Sequence, residues 1–219
     1  MNTNWRQASR SDTAPLYDRS ALITIDVQRD FLDGQRFEIH GTSAALPAMR
    51  RLVESFRLKA RPIIHMVRLY RADGSNVEPF RRRMIEQGTE LVLAGSVGCQ
   101  LASPLLTTPD MTLDAELLLS GGVQMAGSLE SIIYKPRWGA FFGTKLEEHL
   151  RELSVSTLVF AGCNFPNCPR ASIYEASERD FRIVVIEDAL SGLYDRGRKE
   201  LENIGVRVLD TESFLREAV

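Results

Sequence analysis

The chain is poor in the features on which several specialised protein classes depend. Three cysteines in 219 residues are an odd number, too few for a secreted disulfide framework, and a reducing, cytoplasmic compartment is the reading that fits. Neither charge is in surplus. The 27 lysines and arginines face 29 aspartates and glutamates, a net charge of −2, so the cation excess that releases phosphate counterions is missing and no nucleic-acid partner is expected. There is no long apolar run either. Residues 91–109 carry no charge, yet Gly95, Gly98, Gln100, Pro104 and Pro109 interrupt them, and a spanning helix needs about 20 predominantly apolar residues. Residues 1–20 place no apolar stretch behind a basic start, so they read as neither signal peptide nor anchor, and no membrane partner is expected. Histidine is scarce: His40, His65 and His149 sit in separate segments without ligand spacing, each reads as structural, and no metal or other cofactor is implied.

What remains is the composition of a globular protein, 44% hydrophobic and 26% charged. Short β-branched runs at 21–27, 62–67, 131–134, 157–161, 181–186 and 206–209 alternate with helical patterns. Most are continuously apolar (ITIDV, TLVFAG, RIVVIE), as strands covered on both faces are. Between them, Leu46, Met49, Leu52, Val53 and Phe56 form one helical stripe, Leu146, Leu150 and Leu153 a second, and Phe214, Leu215 and Ala218 a short terminal helix. The expected architecture is a three-layer α/β/α domain around a mostly parallel, six-stranded sheet. One domain spans residues 21–219 and follows an arm, residues 1–20, in which Trp5 and Leu16 are candidate anchors on this or a neighbouring subunit. Residues 88–130 read as an insertion-like stretch, and its uncharged part, 91–109, as a buried connector, a pocket wall or a subunit contact. The basic run Arg81, Arg82, Arg83 reads as a solvated helix face.

In a sheet of this kind ligands sit beyond the carboxyl ends of the strands. The dinucleotide fingerprint and the phosphate-binding lysine loop are both absent there. Three polar residues take the place instead. Asp26 ends a buried strand and needs a cation or donor; Lys135 follows SIIY and can be that cation; Cys168 follows TLVFAG across the short loop 163–167. Pro169 favours the first helical position, which makes Cys168 the N-cap. The helix dipole and a nearby lysine are expected to lower the thiol pKa, and backbone N–H groups of the same turn can face an oxyanion. Nucleophile, base, cation and oxyanion donors are what acyl transfer from an amide requires.

DVQRDF at 26–31, KPRWGAFFGTKLEEHL at 135–150 and LVFAGCNFPNCPRASIYEASERDFRIVVIEDALSG at 158–192 resemble the isochorismatase-like cysteine hydrolases, the group with nicotinamidases and N-carbamoylsarcosine amidase. The resemblance runs from about residue 21 to the C-terminus. It implies an Asp–Lys–Cys triad of Asp26, Lys135 and Cys168, an oxyanion hole of the Asn164 and Cys168 backbone N–H groups, a cis peptide at Cys163–Asn164, and a homodimer or homotetramer. Two departures stand beside it. The histidines that bind metal in nicotinamidases have no counterpart in HMVRLYRADGSN, and the vinyl-ether-cleaving isochorismatases need no cysteine.

Other residues leave alternatives open. Gln28 bonds a substrate or orders the site, and Asp30 fixes its loop. Trp138, Phe141 and Phe142 wall a small pocket or belong to the core. Arg68, after the second strand's apolar run, is a candidate clamp for a substrate carboxylate, against a solvated surface arginine. Cys99 and Cys163 read as core thiols. The function so read is cleavage of a non-peptide C–N bond in a small amide or carbamoyl compound through a thioester. The alternatives are a hydrolase of a vinyl ether or ester on the same fold, and a catalytically silent binding protein.

Overall fold

The computed structural model describes residues 12–218, so Trp5 and most of the arm lie outside the described residues. A central sheet holds seven strands: β1 Ser20–Ile25, β2 Ile63–Val67, β3 Val123–Gly127, β4 Glu130–Tyr134, β5 Thr157–Gly162, β6 Arg182–Leu190 and β7 Arg207–Leu209. Their order is β3-β4-β2-β1-β5-β6-β7. Every pair is parallel except β3 with β4. Sequence patterning expects six strands, and β3 is the addition. Its VQMAG is half-exposed, lies at the sheet edge and follows two glycines, so it lacks the apolar run that marks the others. β1, β2 and β5 are buried at every position, as their runs predict.

The helices form the outer layers. On one face lie α4 (Leu146–Glu152), α5 (Cys168–Ser177) and α6 (Asp195–Asn203), whose Leu146, Leu150, Ile173, Ala176 and Leu201 pack on Ile23, Ile25, Met66 and Phe160. On the other lie α1 (Thr42–Leu58) and α7 (Thr211–Glu217). The Met49, Leu52, Val53 and Phe56 stripe of α1 meets Leu22, Val159 and Val184 there, and Phe56 stacks on Phe214 at 6.0 Å. Each such side chain stabilises the fold by roughly 1.5–3 kcal/mol on burial.

A third apolar cluster covers the sheet's carboxyl end. It gathers α2 (Pro79–Glu86), α3 (Ala115–Leu119) and the uncharged stretch, through Leu91, Val92, Cys99 and Leu101. Of residues 91–109, Leu91, Val92, Cys99, Leu101, Ala102 and Leu105 are buried, and the rest are partly or fully exposed, so the stretch is a connector anchored at intervals rather than buried throughout. Leu101 makes an antiparallel bridge to Gln28, and Leu93 a parallel one to Tyr70. In the described part of the arm, the Leu16 N–H donates to Thr157 Oγ1 at 2.9 Å, and Tyr17 packs edge-on against Phe214 at 5.7 Å.

Candidate active site

Four neighbouring parallel strands, β4, β2, β1 and β5, end side by side, and the chain beyond each end supplies a polar residue. Asp26 directly follows β1 at φ 53°, a left-handed conformation that aspartate tolerates better than most residues. Its N–H donates to Met66 O and its carbonyl accepts from the Gln28 N–H, both at 2.9 Å, and from Cys163 Sγ at 3.0 Å. Gly162 makes this approach possible: at φ 126°, a Cβ there would stand 2.3 Å from Ile25 O. The Cys163–Asn164 peptide that follows is cis. Cys168 is the first residue of α5 and Asn167 its N-cap, one position from the sequence expectation. Ser172 Oγ donates to Cys168 O at 2.7 Å and accepts the Ala140 N–H at 3.0 Å, tying the loop after Lys135 to the start of α5. Lys135 itself is fixed by its N–H to Val67 O at 2.9 Å.

The side chains so placed are buried: Lys135 is 0% exposed, Asp26 4% and Cys168 6%. Lys135 Nζ sits 2.8 Å from Asp26 Oδ2, while Asp26 Oδ1 is buried without a hydrogen-bond partner. Among the described residues neither the Asn164 nor the Cys168 backbone N–H finds an acceptor. The thiol departs from expectation. Burial, followed by the charge of Asp26, raises the Cys168 pKa above its ordinary value, and the opposing charges of Lys135 and Arg68 do not cancel this. A reading from dipole and lysine alone misses burial, which disfavours the charged form.

Arg68 is not a surface residue. It is 1% exposed, its Nη2 stands 3.8 Å from Cys168 Sγ, and its Nη1 donates to Pro136 O at 3.0 Å and to Glu78 Oε2 at 3.4 Å. Burial opposes the guanidinium charge, but Asp26, Tyr70, Cys168 and Glu78 outweigh it and raise the Arg68 pKa. Glu78 also accepts from Tyr70 Oη at 2.7 Å and from Arg81 Nη1 at 2.9 Å. Arg81 is accordingly no solvated cation: it lies over the stacked rings of Phe80 and Trp138, at 4.9 and 5.4 Å from their centroids. Sequence reasoning passes over Glu78 and Tyr70, although Tyr70 shares Arg68's side of an extended chain and Glu78 precedes the α2 proline.

Gln28 is 0% exposed and both ends of its amide are engaged. Its Nε2 donates to Arg68 O at 2.7 Å and Cys99 O at 2.6 Å, and its Oε1 accepts the Arg68 N–H at 2.8 Å. It orders the site. Asp30 fixes its loop through Oδ2, which accepts the Val92 N–H at 2.6 Å. Trp138 lines an open cleft with Pro166, Asn167, Arg170, Ala171 and Tyr174, beside the residue that precedes Cys168. Phe141 is core, packed on Phe181 at 5.9 Å, and Phe142 is 58% exposed and does not line the cleft of Trp138. His65 is held at both ring nitrogens, by Thr24 Oγ1 at 2.7 Å and Glu130 Oε1 at 2.9 Å. Among the described residues no three His, Cys, Asp or Glu side chains are grouped to hold a metal ion, and no helix is long and apolar enough to cross a membrane.

A mostly parallel sheet between helical layers, with buried polar residues beyond its central carboxyl ends, defines the class of α/β/α proteins that work at the strand ends. Within that class, the family model described as the isochorismatase domain matches residues 20–112 and 125–213, and the chain belongs to the isochorismatase family. It is 29% identical over 201 residues to a protein of Arabidopsis thaliana named probable inactive nicotinamidase, covering 89% of this chain and 93% of that one. It is 25% identical over 207 residues to the N-carbamoylsarcosine amidase of an Arthrobacter species, covering 90% of this chain and 70% of the relative. The crystal structure of an isochorismatase family protein from Desulfovibrio vulgaris superimposes with a TM-score of 0.77 at 27% identity, covering 91% and 97% of the two chains.

Proposed function

We propose that the protein is a cysteine hydrolase that cleaves a non-peptide C–N bond in a small amide or carbamoyl compound through a thioester. One observation carries this reading: Asp26 is neutralised on one oxygen by Lys135, and its other oxygen is buried without a partner in the site of a buried cysteine. A buried carboxylate with a cation on one oxygen and the other unpartnered is placed to accept a proton. Asp26 takes the Cys168 proton, and the sulfur lone pair attacks the carbonyl carbon. The N–H groups of Asn164 and Cys168 hold the oxyanion, a contribution of about 3–4 kcal/mol per donor in comparable sites. The C–N bond breaks as Asp26 returns its proton to the nitrogen, which leaves as ammonia or an amine. Asp26 then deprotonates water, hydroxide attacks the thioester, the C–S bond breaks, and the proton goes back to sulfur. Lys135, ion-paired to Asp26, balances the negative charge as it passes between the carboxylate and the sulfur.

The family membership and the Arthrobacter amidase support this reading. The name of the Arabidopsis relative favours the rival, a fold retained without turnover. Ammonia release from a panel of small amides and ureides, with an ester and a vinyl ether as controls, separates them. Turnover of an amide or ureide that vanishes in Cys168→Ala is expected; full activity in that variant would overturn the covalent mechanism. In a silent protein no substrate turns over, and Cys168 reacts with iodoacetamide no faster than Cys99. The same reading takes the enzyme as a cytoplasmic homo-oligomer. Three free cysteines and the exposed apolar side chains of Phe80, Val97, Met125 and Phe142 support it, and sedimentation tests the oligomer.

A further inference from the structure

The site holds more positive charge than the triad needs. Lys135 is matched by Asp26. Glu78 is shared between two arginines, and its shorter ion pair is with Arg81, at 2.9 Å against 3.4 Å for Arg68. Two carboxylates thus face three cations, leaving a surplus of one. The surplus has a direction. Among the described residues the Cys168 sulfur is the only hydrogen-bond partner of Arg68 Nη2, at 3.8 Å. A neutral thiol is a weak acceptor and gains little from this contact, whereas a thiolate gains a great deal. An interaction that strengthens as charge develops is the kind that accelerates a reaction.

We propose that Arg68 is a catalytic residue of this site. Its Nη2 holds the Cys168 sulfur once the thiol proton has passed to Asp26, and Glu78, with Tyr70 and Arg81, is the positioning clasp that keeps the guanidinium aimed. Arg68 thereby complements Asp26, which accepts the proton but offers the sulfur no positive charge. This rests on the cysteine-nucleophile reading above. The groups that face the sulfur are Asp26, Lys135, Arg68 and Cys163; Glu78, Tyr70 and Arg81 act on it through Arg68.

The test is the pH dependence of Cys168 alkylation by iodoacetamide, an uncharged probe: the C–S bond forms, the C–I bond breaks and iodide leaves. Relative to wild type, Arg68→Met is expected to slow the reaction at neutral pH about tenfold or more and to move its midpoint up by about one pH unit. Arg68→Lys, which keeps a charge but not the planar fork, is expected to fall between them and leaves Glu78 a cation if the methionine variant does not fold. Circular dichroism and denaturant unfolding establish that each variant is folded. Wild-type rate and midpoint in both folded variants would overturn the proposal. So would a loss confined to the anionic probe iodoacetate, which would make Arg68 a clamp for a carboxylate. A wild-type Cys168 no more reactive than Cys99 would instead sink the nucleophile reading itself, so the two failures are distinct.

Discussion

Two buried carboxylates in this protein are treated in opposite ways. Glu130, at the start of β4, is bonded on both oxygens: Oε1 accepts from Arg57 Nη2 at 2.7 Å and from His65 at 2.9 Å, and Oε2 from Arg57 Nε at 2.8 Å. Asp26, just beyond the other end of the sheet's central strand, has a cation on one oxygen, while its other oxygen makes no hydrogen bond of normal geometry and the carboxylate faces the Cys168 thiol. Burial of a carboxylate is tolerable when its lone pairs are occupied, and then the group is locked into structure. Leaving one oxygen without a partner keeps a carboxylate able to take a proton. On the proposed reading, this difference in hydrogen bonding separates a structural ion cluster from a chemical one.

Removing the proposed nucleophile tests that reading hardest. Cys168→Ala is expected to cut hydrolysis about 10⁴-fold or more while thermal unfolding stays within about 4 °C of wild type. Asp26→Asn should lose about 10³-fold or more in rate and, by stranding Lys135, stability as well; a variant that keeps its rate would show that the unpartnered oxygen has no part in the chemistry. Glu130→Gln addresses the structural side. Denaturant titration should show a loss of about 3 kcal/mol, with the rate per folded molecule unchanged. A smaller effect comes from pH. Burial alone would raise the Glu130 pKa, but the hydrogen bonds from Arg57 and His65 hold it down at about 2. Because the folded value lies below the unfolded one, the stabilisation is complete above about pH 4.5 and is lost as pH falls toward 2. Urea midpoints across that range should fall in wild type, and in Glu130→Gln that part of the fall should disappear. The smallest effect is expected at Phe142: replacement by alanine should change stability by less than about 0.5 kcal/mol and KM by less than about twofold. A larger rise in KM would return that ring to the substrate pocket.

Much of this arrangement is legible in the sequence, for a definite reason. Strands covered on both faces must be continuously apolar, so the polar residues that end them stand out, as Asp26 and Lys135 do. Cys168 is marked by the proline behind it. What stays hidden depends on neighbours distant in sequence or on burial. β3 is a half-exposed edge and pairs only because β4 turns back beside it. Arg68 reads as a surface cation until Pro136, Glu78 and the Cys168 sulfur surround it. Dipole and lysine are visible around Cys168, but the desolvation that outweighs them is not. Phe142 follows a core phenylalanine and nothing local shows that it points outward.

Gln28 holds its neighbours by their backbones: the N–H and carbonyl of Arg68 and the carbonyl of Cys99. Such a clasp is blind to the side chains at both positions. Arg68 is thus held twice, through its backbone by Gln28 and through its guanidinium by Glu78 and the Pro136 carbonyl. A substitution there releases the second hold and leaves the first, so its cost falls on the side chain's buried partners while the strand ends keep their backbone clasp.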